Sequence, residues 1–171
     1  VQTCALPIFN SVIQRGRNDD QLLPLAALAR DQGLELRLIE TMDVGNRNGW
    51  RPEQVVPAAE MLKILSNHWP LEPLGRPAHG TASRWRYRDG RGAVAVVASI
   101  TQPFCGDCNR LRVTANGVAY TCLFASQGQD LKRWLQTSEG LRQAIGQLWS
   151  QRQDRYSEER ASRPAQPKAR S

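Results

Sequence analysis

Phe9-Asn-Ser-Val-Ile-Gln14 and Leu36-Arg-Leu-Ile-Glu-Thr-Met42 are short apolar stretches rich in β-branched residues, the composition of strands. A helix-spaced run lies between them. Asn18-Asp-Asp-Gln21 supplies an N-cap residue with Gln at the third helical position. Leu22, Leu25, Ala26 and Ala29 then keep one face apolar, and Gly33 offers a stop. Pro24 fits such a helix only near its start, where it shifts or bends the first turn. Strand, helix and strand in this short span make one βαβ unit. A single unit cannot cover both faces of a parallel sheet. The pattern therefore predicts an α/β chain that carries part of a parallel (β/α) barrel cut through its middle.

Further along, residues 43–50 read as a loop rich in Gly and Asn. Residues 51–68 read as one helix, with Pro52 in the first turn and Val55, Ala58, Met61, Leu62 and Leu65 on one face. An irregular connector is expected over 70–80. Residues 83–88 and 93–100 form a predicted hairpin around Asp89-Gly90-Arg91, and a second hairpin spans 111–124. Two helices are expected near 131–135 and 141–149. From Gln151 the chain is polar and Pro-containing without periodicity, which predicts a flexible or docked tail. At the other end, Val-Gln-Thr-Cys-Ala-Leu-Pro-Ile (1–8) back-translates into a common sequencing adapter. Those residues are read as foreign to the fold, which leaves Cys4 without a role. The expected division is 1–8 adapter-derived, 9–46 the last βαβ unit of the barrel, 47–150 a C-terminal α+β domain, and 151–171 the tail.

The chain has 171 residues, 40% hydrophobic and 23% charged, the balance of a soluble globular protein. No apolar run approaches the ~20 residues that a membrane span needs. No basic and apolar leader pattern is visible, so a cytoplasmic location and no membrane partner are expected. The net charge of +7 favours an anionic partner. Part of that charge sits in residues 151–171, where basic residues outnumber acidic ones and are read as solvated.

Three of the four cysteines cluster. Cys105-Gly-Asp-Cys108 is a C-x2-C pair, and thirteen residues intervene before Cys122. In a reducing compartment such spacing points to a metal centre, not a disulfide. The hairpin returns the third thiol. Its turn, Thr114-Ala-Asn-Gly117, allows two registers. A two-residue loop sets Cys122 opposite Leu111. A three-residue loop, with Gly117 left-handed, sets Cys122 opposite Arg110, and this second register is the one expected. Opposed residues share a face, so Cys122, Arg110 and Arg112 would point the same way. Structural zinc normally takes four ligands, and His68 or His79 would have to complete such a site. Three thiolates can instead hold an iron–sulfur cluster with one iron left open. The paired arginines favour that alternative, because a planar guanidinium fork suits a phosphorylated substrate.

These residues resemble a known family. Pro103-Phe-Cys-Gly-Asp-Cys-Asn-Arg-Leu-Arg-Val-Thr-Ala-Asn-Gly117, followed by Thr121-Cys-Leu-Phe124, is similar to the C-terminal cluster motif of the radical S-adenosylmethionine GTP cyclases of molybdenum cofactor synthesis. Met42-Asp-Val-Gly-Asn-Arg-Asn-Gly-Trp50 and Arg15-Gly-Arg-Asn-Asp19 are further matches, and the matches run in order from about Asn10 to Tyr156. The resemblance implies a partial parallel barrel whose open side is covered by a C-terminal domain. It implies a [4Fe-4S] cluster on Cys105, Cys108 and Cys122 whose open iron holds the guanine of GTP. It also implies GTP contacts at Arg110, Arg112 and Arg37, and positions near S-adenosylmethionine at Met42 and Asn10. A second [4Fe-4S] cluster and a homodimer are implied for the full-length enzyme.

Three departures from the family pattern stand out. The radical-generating C-x3-C-x2-C motif is absent from these residues, Ile8 replaces a family lysine, and a C-terminal Gly-Gly is missing before Lys168-Ala-Arg-Ser171. The fragment by itself is therefore expected to bind and not to turn over. The competing reading is a small module with a structural zinc or iron–sulfur site. Arg84-Trp-Arg-Tyr-Arg88 would stack on nucleic acid in that reading. An ordinary hairpin edge explains the same pattern, and no nucleic-acid partner is expected.

Overall fold

The computed structural model describes residues 7–44 and 49–162. Cys4, most of the adapter-like stretch, most of the Gly/Asn loop and the end of the tail lie outside the described residues. The chain divides into two compact units, Val1–Asp107 and Cys108–Ser171.

The first unit is α/β. β1 (Ile8–Ile13), α1 (Leu22–Asp31) and β2 (Glu35–Glu40) form the expected parallel βαβ unit, with Asn10 beside Arg37 and Ile13 beside Glu40. Asp19–Gln21 is a 3-10 turn that leads into α1, so Pro24 falls in the first turn, where its missing N–H costs nothing. Gly33 takes φ +64 at the stop, and Leu34 N donates to Ala29 O at 2.8 Å. α2 (Ala58–His68), β3 (Leu71–Gly75), β4 (Ser83–Tyr87) and β5 (Ala93–Val97) follow. The sheet order is β1-β2-β5-β4-β3, parallel from β1 through β5 and antiparallel from β5 to β3.

Leu36, Leu38, Val94 and Val96 bury their side chains against Leu22, Ala26 and Ala29 of α1 and Met61 and Leu65 of α2. Full burial of such side chains contributes about 1.5–3 kcal/mol each. The alternation of β2 is strict here: Leu36, Leu38 and Glu40 are all fully buried.

Two expectations for this unit are corrected. The helix expected over 51–68 begins only at Ala58. Pro52–Gln54 is a separate 3-10 turn, and Val55 bridges to Gln14. Pro57 forces the break, since the residue before a proline is pushed out of the helical region. The irregular connector contains β3, which Pro73 and Gly75 disguise; as an edge strand it tolerates a proline.

In the second unit, β6 (Arg112–Val113), β7 (Val118–Tyr120) and β8 (Gln129–Asp130) make a small antiparallel sheet. Of the two expected helices, the second is present as α3 (Ser138–Ser150), while the first is only a 3-10 turn over Lys132–Trp134. Thr137 caps α3, its Oγ1 accepting from Gly140 N at 3.1 Å. Ala119, Leu131 and Ala144 form the core, with Leu111, Leu141 and Leu148 packed around them. The tail is docked through its first part. Arg152 Nε donates to Thr121 O at 3.2 Å, Thr121 Oγ1 donates to Asp154 at 2.5 Å, and Tyr156, opening α4 (Tyr156–Glu159), stacks on Phe124 at 4.0 Å. Among the described residues no helix is long and apolar enough to cross a membrane.

Candidate functional site

The β6–β7 ladder fixes the question the turn left open. Arg112 pairs with Tyr120 and Val113 with Ala119. Thr114 N donates to Val118 O at 2.9 Å, and Gly117 takes φ +80. This is the three-residue loop. This register excludes the two-residue loop on which a Leu111 pairing depended; the ladder itself ends at the Arg112–Tyr120 pair, before Arg110 and Cys122. Ala119 and Leu111 pack in the α3 core, and Arg112 and Tyr120 share the opposite face of the ladder.

Two of the sulfurs accept hydrogen bonds from N–H donors. Arg110 Nη2 donates to Cys108 Sγ at 3.1 Å, and Phe124 N donates to Cys122 Sγ at 3.4 Å. Arg112 Nη1 donates to Arg110 O at 3.3 Å. Arg110, Arg112, Cys108 and Cys122 are all half-buried. Cys105 lies in the first unit, opening the 3-10 turn Cys105–Asp107. None of the three cysteines is in a disulfide. Among the described residues, no group of three or more His, Cys, Asp and Glu side chains stands close enough to hold a single metal ion. The donor chemistry does suit an iron–sulfur cluster: cysteine sulfurs can each bind a different iron, and N–H groups directed at two of them tune such ligands.

The other expected site residues belong to the first unit. Asn10 and Arg37 are register partners on adjacent parallel strands and share the face opposite α1 and α2. Arg37 Nη2 lies 3.2 Å from Glu35 Oε1, and its buried Nε has no hydrogen-bond partner. Arg84 holds the other oxygen of Glu35 through Nε at 3.0 Å and Nη2 at 2.5 Å. Met42 follows β2 in the loop, beside Thr41, whose carbonyl accepts from Trp50 Nε1 at 3.0 Å. Further along, a cavity of about 250 Å³ opens beside Phe104, lined by Arg76, Thr81, Ser83, Gln102 and their neighbours.

The basic strand has its own partners. Arg84 is paired with Glu35 and Arg86 with Glu72, while Tyr87 is buried in the core and Trp85 packs against it. Its aromatics therefore face the sheet's own core. Of the two histidines, His68 ends α2, exposed, and His79 sets Nδ1 2.7 Å from Asp107 Oδ1.

The family model described as Molybdenum Cofactor Synthesis C matches residues 34–158. The chain belongs to this family. Among curated relatives, the GTP 3′,8-cyclases of two Synechococcus strains are 63% and 67% identical to it. Those matches cover 90% and 89% of the chain but 45% and 44% of the relatives. The GTP 3′,8-cyclase of Acidothermus cellulolyticus is 53% identical over 161 residues, again 90% of the chain and 44% of the relative. The chain thus spans about half the length of the curated relatives it matches. The Molybdenum Cofactor Synthesis C match takes in β2, both hairpins, all three clustered cysteines and both hairpin arginines.

Sequence reasoning missed Glu40, Asp107 and the Glu35–Arg84 pair. Glu40 did leave a signal. It stands in phase with Leu36 and Leu38, and a carboxylate at an inward position of a strand needs a reason.

Proposed function

We propose that the chain is the C-terminal part of a GTP 3′,8-cyclase, the lyase that converts GTP to (8S)-3′,8-cyclo-7,8-dihydroguanosine 5′-triphosphate in molybdenum cofactor synthesis. The observation that carries the reading is the Arg110 guanidinium on Cys108 Sγ, two residues before Arg112 on the hairpin that returns to Cys122. Cation and sulfur ligand in contact are what a site needs if it must hold a metal cluster and a nucleoside triphosphate together.

Cys105, Cys108 and Cys122 hold a [4Fe-4S] cluster. Bound there, it supplies one iron without a protein ligand, a Lewis acid for the guanine. Arg110 and Arg112 bind the nucleotide, and Arg37 contacts phosphate. Asn10 and Met42 border S-adenosylmethionine. A second cluster, which generates the radical, belongs to the part of the enzyme outside these residues. β1 and β2 are the closing strands of the parallel barrel. The complete enzyme is a cytoplasmic homodimer. Supporting the assignment are the family membership, the printed names of the relatives and the parallel βαβ unit.

The test is anaerobic reconstitution of the chain with iron and sulfide, followed by Mössbauer spectroscopy with and without GTP. A four-iron cluster with one iron site altered by GTP is expected. Uptake of zinc with no cluster would overturn the reading in favour of a small module with a structural metal.

A further inference from the structure

Cys105 follows β5 on a seven-residue lead-in with little regular structure, and side chains from outside the cysteine motif hold that lead-in at several points. Glu40 is fully buried at the end of β2. Its Oε2 accepts from Ile100 N at 2.7 Å and Thr101 N at 2.9 Å. Its Oε1 accepts from Thr101 Oγ1 at 2.5 Å and from Ala58 N, at the start of α2, at 2.8 Å. Four donors converge on one acceptor-only group, so a buried carboxylate is satisfied and the turn after β5 is tied to β2 and α2.

Phe104 packs against Ala82, Ala95 and Val97, and the Arg76 guanidinium lies over its ring at 5.7 Å. Beyond Cys105, Asp107 accepts from His79 N at 3.1 Å, faces His79 Nδ1 at 2.7 Å and pairs with Arg76 at 3.5 Å. His79 takes φ +57, a left-handed conformation rare for a residue with a side chain. Such a backbone persists only where its surroundings over-determine it, and its two contacts with Asp107 are such surroundings.

We propose that Glu40, together with Arg76 and His79, positions Cys105 for cluster ligation. Glu40 fixes where the lead-in starts, and Asp107, through its partners, fixes where the Cys105 turn ends. None of the three touches a reacting atom; they are positioning residues. The inference rests on Cys105 being a cluster ligand.

Glu40→Gln is the decisive variant. In either amide orientation its NH2 group faces at least one backbone N–H, that of Ala58 or those of Ile100 and Thr101. Thr101→Val removes one donor, and Thr101→Ser restores it. Leu65→Ala, a core cavity in α2 away from the lead-in, serves as the destabilised control. The 171-residue chain and its variants are loaded with iron and sulfide, and loss of the cluster to a chelator is timed. Melting temperature and amide exchange at Ile100 and Thr101 are recorded on the metal-free chain.

Glu40→Gln is expected to lose its cluster about tenfold faster than the parent, with loss of amide protection at Ile100 and Thr101. Thr101→Val and His79→Ala should move the same way, Thr101→Ser should not, and Leu65→Ala should melt earlier yet keep its cluster. Unchanged cluster loss in Glu40→Gln and His79→Ala overturns the positioning role while the cluster reading stands. Equal loss in Leu65→Ala at equal melting temperature also overturns it, because mere instability would then suffice. A parent chain that forms no four-iron cluster overturns the cluster reading itself.

Discussion

Arg110 and Arg112 are the residues on which the nucleotide reading turns. Arg110 donates to Cys108 Sγ, and Arg112 donates to the Arg110 carbonyl. Arg110→Ala or Arg112→Ala should weaken GTP binding by about 1.5–3 kcal/mol, the range of a charge-assisted hydrogen bond, with iron content unchanged. Calorimetry on the reconstituted chain checks this; full GTP affinity in both variants would remove the assignment. Tyr87 offers a test of stability that no ligand touches. Its hydroxyl is buried without a partner, beneath the Arg30 guanidinium at 4.2 Å. Burial pushes the phenol up from 10.0 to about 12, with the Arg30 charge opposing that rise. Because the buried phenol resists ionisation in the fold, stability at this group is at its full value below about pH 10 and is lost as the pH climbs through about 12. Tyr87→Phe removes both the orphaned hydroxyl and the titration. It should hold or gain about 1 kcal/mol at pH 7 and melt later than the parent above pH 10.

At the scale of elements, legibility followed the strength of the local signal. The βαβ unit and both hairpins could be read because alternation and turn residues agreed, whereas Asn18 makes no capping hydrogen bond and the turn ending at Gly117 left two registers open. Helix α2 was overextended because the apolar spacing of Val55 looked helical, although Pro57 vetoes it. β3 was missed since its pairing with β4 is long-range and its own composition argues against a strand. The small sheet of the second unit makes a sharper demand that sequence did not reveal. A Cβ on Gly128 would stand 2.6 Å from Val118 Cγ1 and 2.8 Å from Ala119 O, which is ladder backbone. Gly128→Ala should therefore part β7 from β8 and cost about 1–3 kcal/mol. Gly146, inside α3 with nothing within 4 Å of its absent Cβ, is the counterpart. Gly146→Ala should stabilise by about 0.5–1 kcal/mol. Thermal melts of the two variants should shift in opposite directions, and a tolerated Gly128→Ala would mean that β8 contributes little to the second unit.

For the molecule as a whole, the cysteine motif was the most legible part of the site, because thiols at such spacing have few uses. The supports of Cys105 were not legible. Glu40 lies 60 positions from Ile100, and His79 lies 28 from Asp107, so only the folded sheet brings them together. The edges of that sheet raise a further consequence. Among the described residues β1 has a single strand neighbour, and it exposes Ile8 at 48%, Phe9 at 42% and Val12 at 51%. An apolar edge with unpaired backbone groups is a template for another strand. In the proposed enzyme that strand comes from the rest of the barrel; with the chain alone it must come from a second copy. The chain by itself should therefore self-associate in a concentration-dependent way. A charge on the exposed face of the edge should oppose this without disturbing the core, since Val12 points away from α1 and α2. Val12→Lys should raise the monomer fraction in size-exclusion chromatography with light scattering, while leaving the melting temperature nearly unchanged. Association that is indifferent to Val12→Lys would place the contact elsewhere, and a parent chain that stays monomeric at high concentration would mean that the β1 edge is already protected.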